Sequence, residues 1–163
     1  MISLRNILVV SAISLAASTL ALAGDSASGT VNLKTAKGAF KYGFLVRGPD
    51  EMDPSKIILR ILLSSVDIGA KIKAAKTFSD ATMALEDGIE VNFSDDSHLN
   101  YAVRLNHELV QYSGFTNGEA FTLTTNKPDH LAGKLHIDDT AADGPKVDAT
   151  FDLTLVKTFT SAR

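Results

Sequence analysis

Residues 99–124 read LNYAVRLNHELVQYSGFTNGEAFTLT, and the alternation inside this stretch decides the fold class. Leu99, Tyr101, Val103 and Leu105 alternate with Asn100, Ala102, Arg104 and Asn106, the period of a strand with one buried face. Asn106-His107 then reads as a two-residue turn, because Asn and His are among the residues that tolerate positive φ. That turn sets Leu105 against Glu108, Val103 against Val110 and Tyr101 against Tyr112. Asn117-Gly118 reads as a second hairpin turn, which would set Tyr112 against Leu123 and Gly114 against Phe121. Both turns place Leu99, Tyr101, Val103, Leu105, Val110, Tyr112, Phe121 and Leu123 on one face. Asn100, Arg104, Gln111, Ser113, Thr122 and Thr124 take the other. A slip of one residue would scramble this partition.

The same period extends in both directions. Upstream, Ile89, Val91 and Phe93 alternate with Glu90, Asn92 and Ser94. Downstream, Leu131, Gly133, Leu135 and Ile137 oppose Lys134 and His136, and a long final strand carries Val147, Ala149, Phe151, Leu153 and Leu155 inward. Nearer the N-terminus, Gly29–Leu33 reads as a short strand and Ala39–Arg47 as another. Lys56–Ser65 (KIILRILLSS) is apolar on both sides apart from Arg60 and the serines, the pattern of a central strand covered on both faces. Residues 78–87 read as one short helix with Ser79 as N-cap, covering an open end of the sheets. The expected fold is therefore mainly β, an antiparallel β-sandwich, with a small up-and-down β-barrel as the alternative.

The first 23 residues have the three parts of a cleavable signal peptide: Arg5, an apolar run from Ile7 to Leu22, and the small-x-small triplet Ala21-Leu22-Ala23. The 16-residue run is interrupted by Ser11, Ser14, Ser18 and Thr19, and is short for a span of roughly 20. The sequence thus predicts cleavage after Ala23, a single exported domain over residues 24–163, and no membrane anchor. The chain has no cysteine, so neither a disulfide nor a lipidated thiol is available. Without Arg5, 15 basic residues stand against 19 acidic ones, a formal charge of −4, which speaks against a nucleic-acid partner.

The residues that could carry chemistry are few. Inward Tyr101, Tyr112 and Phe121 would line a ligand cavity if the fold were a barrel, and would be core in a sandwich. The loop carboxylates Asp95, Asp96, Asp138 and Asp139, with His98, are the candidate metal ligands. Ca²⁺ takes about six to eight oxygen ligands, but no Ca²⁺-loop spacing is present, and solvated turns are the simpler account. No cofactor is predicted. Motifs of serine and metal hydrolases are absent, which lowers the expectation of an enzyme. Three readings follow. The leading one is a periplasmic or secreted, non-enzymatic domain that binds an envelope protein through its loops or a sheet edge. The second is a lipocalin-like carrier of a small apolar ligand, and the third is a hydrolase of an envelope polymer.

Overall fold

The computed structural model describes residues 25–93, 98–115 and 120–163. The expected signal peptide, Asp95, Asp96 and the Asn117-Gly118 turn lie outside the described residues. Ten strands form: β1 (Ser26–Leu33), β2 (Ala36–Phe40), β3 (Tyr42–Pro49), β4 (Ile57–Ser64), β5 (Gly88–Phe93), β6 (His98–Leu105), β7 (Glu108–Phe115), β8 (Phe121–Lys127), β9 (His130–Asp138) and β10 (Lys146–Thr158). Two short helices, α1 (Gly69–Ala74) and α2 (Phe78–Met83), lie between β4 and β5.

The mainly-β expectation holds. Eight strands in the order β2-β1-β10-β3-β4-β5-β6-β7 make one strongly curled sheet, a half-barrel, and β9 and then β8 continue from β10. The layout lies between the two architectures read from the sequence. One pairing departs from the antiparallel pattern. β10 runs antiparallel to β1 over Lys146–Asp152, then pairs parallel with β3, Leu155 opposite Leu45, with a register shift between Leu155 and Lys157. The strand is 13 residues long, enough to serve β1, β9 and β3.

The first hairpin forms in the expected register, with Tyr101 opposite Tyr112 and Leu105 opposite Glu108. Asn106 (φ 51°) and His107 (φ 67°) both take the positive φ that such a turn demands. The second expected pairing, of β8 with β7, is absent among the described residues. Phe121 pairs with Leu135 and Leu123 with Gly133, so β8 joins β9 rather than β7. The inward face is preserved all the same, because β8 and β7 line the same core from different parts of the curl.

That core joins Val31, Leu45, Ile61, Val91, Tyr101, Val103, Leu131, Leu135, Val147 and Phe151, among others. β4 is covered on both faces, as its composition requires. Ile61 and Leu63 enter the main core, while Ile58 and Leu62 enter a second one beneath the helices. In that second core Phe78 packs on Phe159 at 6.0 Å. Gly48 makes room for it, since a Cβ there would stand 2.6 Å from the Phe78 ring. The helices therefore cover the outer face of β3 and β4, not an open end of the sheets. α2 is capped by Thr77 in a full capping box with Asp80, and Ser79, two positions after the cap, already lies inside the helix.

Candidate functional site

The register that sends Tyr101 and Val103 inward leaves a polar surface on the outside of β5, β6 and β7. Arg60, Asn92, Asn100 and Ser113 are direct cross-strand neighbours, one row running over four strands. The next row is Leu62, Glu90, Ala102 and Gln111. The helices cover Leu62 but the second core reaches no residue of β5, β6 or β7. The loop after β3 forms a wall, and an Asx turn holds it, with Asp50 Oδ1 accepting from the Met52 amide at 2.7 Å. The result is an open trough of about 610 Å³ lined by Asp50, Glu51, Met52, Arg60, Glu90, Asn92, Asn100, Ala102, Gln111 and Ser113, with Tyr101 and Tyr112 at one side. Ala102, 2 % exposed, is its floor.

Arg60 is the best-held residue in the trough. It is 5 % exposed, and its charge is distributed over four neighbours. Nε donates to Asn92 Oδ1 at 2.7 Å, and Nη1 donates to Thr82 Oγ1 at 2.6 Å and to Glu51 Oε1 at 3.3 Å. The guanidinium carbon stands 4.4 Å above the Phe78 ring. A second pair, Arg104 Nη1 to Glu90 Oε2 at 2.8 Å, neutralises the trough carboxylate on β5. Arg163 reaches Glu51 at 3.8 Å. The charges of the trough are thus largely matched internally.

No protein family, curated protein or solved structure matches this chain. Its chemistry has to be read from its own geometry.

The residues singled out in the sequence are brought together only in part. Tyr101 is buried, and its hydroxyl donates to Asp139 Oδ2. Burial first, and that carboxylate second, push the phenol well above the ordinary tyrosine range. The Tyr112 ring stacks on Tyr101, centroids 5.3 Å apart and planes 15° apart. Phe121 belongs to a different group, edge-on to Phe93 at 5.5 Å and to Phe151 at 6.4 Å. Tyr101 thus joins one candidate ligand-binding residue to one candidate metal ligand, and the contact ties β6 to the loop after β9. Asp138 is engaged by Lys146 Nζ at 2.8 Å and by Thr140. Among the described residues no three His, Asp or Glu side chains are grouped to hold a metal. His130 and His136 each meet an aspartate of β10, Asp152 and Asp148, at 2.6 Å.

The Lys146 ammonium first, and the Thr140 hydroxyl second, hold the Asp138 carboxyl at about 2, down from 3.8. A depressed carboxylate stabilises the fold above its unfolded value and loses that contribution as pH falls through its folded value. The gap in melting temperature between the protein and Asp138→Asn is therefore expected to be constant above about pH 4 and to close towards pH 2. A gap independent of pH over that range would contradict the pairing.

Two parts of the trough were missed by reading the sequence. The wall at Asp50–Met52 carries no sequence pattern that marks it as part of a site. Arg60 was visible as the one charge in an apolar run, and a lone charge on a strand covered on both sides calls for buried partners. Asn92 and Thr82 are those partners, but their sequence separation hid them.

Proposed function

We propose that this protein is an exported, non-enzymatic binding domain that takes an extended segment of another protein as an added strand along β7. The observation that carries this reading is the state of that strand. β7 is eight residues, ELVQYSGF, with one charge at its first position and no proline. It pairs with β6 in unbroken register, and no second strand lies beside it among the described residues. Leu109 and Tyr112 are exposed along it. Sheet edges are ordinarily blunted by shortness, lysine, proline or a bulge. β2 has five residues, including Lys37, and β8 carries a register shift between Leu123 and Thr125 and leads into Pro128. β7 has none of these devices.

The hairpin also says which groups face outward. Residues flanking a two-residue turn form a hydrogen-bonded pair, and such pairs alternate along the ladder. Glu108, Val110 and Tyr112 therefore bond to β6, and Leu109, Gln111 and Ser113 direct their backbone groups to the edge. Strand addition uses main-chain groups of this kind for affinity and alternate side chains for specificity. Export is supported by the apolar run before Ala23, and the absence of cysteine suits either side of a membrane.

Gln111→Pro tests the reading with one atom group. It removes an outward N–H while leaving the β6 ladder intact, a position where an edge strand accepts proline. The expected result is a melting temperature within about 4 °C of the parent. The protein partner that co-purifies with the parent from the cell envelope should at the same time be lost. Undiminished recovery of that partner would rule out the β7 edge as the binding surface.

A further inference from the structure

A second site lies beside that edge, and it rests on different atoms. We propose that the trough over β5–β7 binds a neutral, multiply hydroxylated ligand, a saccharide. Glu51 is matched by Arg60 and Arg163, and Glu90 by Arg104. An anion would meet Asp50, Glu51 and Glu90 at close range, and a cation would meet Arg60 and carboxylates already engaged. An uncharged ligand meets neither penalty.

Hydrogen-bonding capacity remains after those pairings. Arg60 uses Nε and Nη1, and its Nη2 makes no hydrogen bond among the described residues. A guanidinium has five N–H donors, and a carboxylate has about four acceptor positions. Asn100, Gln111 and Ser113 add amide and hydroxyl groups in two adjacent rows of the sheet. This mixture of fixed donors and acceptors suits hydroxyl groups, each of which both donates and accepts. The largely exposed Met52 at the rim offers apolar contact to the C–H face of a sugar ring. The arrangement is set before any ligand arrives, since the Asx turn and the Arg60 bonds hold the wall against the floor. A volume of about 610 Å³ is within the usual range for a small-molecule site.

The test is a titration of the protein with neutral trisaccharides (chitotriose, cellotriose and maltotriose), followed through the side-chain amide signals of Asn92, Asn100 and Gln111 in ¹H–¹⁵N spectra. At least one sugar is expected to shift these signals saturably. Ala102→Phe, which fills the floor from the outer face, should weaken that binding by about tenfold or more. Ser113→Leu, at an exposed outward position, should weaken it in the same direction and serves if Ala102→Phe does not fold. No shift with any of the three sugars overturns the proposal, as does binding that survives both substitutions. Shifts produced by an unstructured peptide and not by the sugars would assign the trough to the β7 partner. Leu109→Pro, which removes an outward N–H from the β7 edge at a position outside the trough lining, keeps the two failures apart.

Discussion

Arg60→Met is expected to destabilise the protein by about 3 kcal/mol, a fall in melting temperature on the order of 10 °C. The methionine retains the aliphatic stem, so the loss isolates the guanidinium. Asn92 Oδ1 would lose its 2.7 Å donor at the centre of the sheet, and Phe78 would lose the cation on its ring. Thr82 would keep its bond to the Phe78 carbonyl at 3.3 Å, and Glu51 would keep Arg163, which is why the expected loss is not larger. Removing one member of a buried ionic network typically costs about 3–5 kcal/mol, because the remaining groups stay desolvated. Thermal unfolding followed by circular dichroism measures it. A fall below about 3 °C would mean that the network contributes little to stability. Comparison with Glu51→Gln in a double-mutant cycle isolates the ion pair from the other two bonds.

Gly133→Ala carries the second large effect, about 4 kcal/mol, from backbone geometry rather than charge. Gly133 has φ +155°, a conformation that residues with a Cβ rarely adopt, and an added Cβ would lie 2.3 Å from the Thr122 carbonyl oxygen and 2.8 Å from Leu123 Cα. Both are backbone atoms of β8, so no rotamer change relieves the contact. The position also faces the register shift of β8, where a glycine admits close approach of the neighbouring strand. The outcome to expect is failure to accumulate folded protein at 37 °C, or a melting temperature lowered by more than 10 °C, on the order of the figure above. A parent-like melting curve would show that β8 can slide away from β9 without loss. Phe151, the partner of Gly133 on the other side, then would not depend on that register.

How far the fold could be read from the sequence varied with the range of the signal. The β6–β7 hairpin was legible to the residue because a two-residue turn leaves one register, and Asn106-His107 supplied the turn. β10 and β9 were legible as alternation, with Val147, Ala149, Phe151 and Leu153 inward as read. The helical segment was found, but its cap was placed at Ser79 instead of Thr77, since both can accept the N3 amide and only the return bond from Asp80 separates them. The partner strand of β8 was misread. Alternation fixes which face is buried but not which strand lies alongside, and Phe121 satisfies the same inward pattern against Leu135 as it would have against Gly114. The trough was legible only as a list of outward residues. Its floor follows from the hairpin register, but its wall and its arginine depend on contacts between β4, β5 and the loop after β3, which no local pattern encodes.

The central claim is that β7 receives a partner strand, and site-specific photo-crosslinking in the native host tests it most directly. A photoreactive side chain is placed at exposed Leu109 on β7 and, in a parallel variant, at exposed Thr150 on the outer face of β10. The account predicts a discrete protein adduct from position 109 that disappears when Gln111→Pro is added, and none from position 150. An adduct that survives Gln111→Pro, or one that forms equally from position 150, would contradict it.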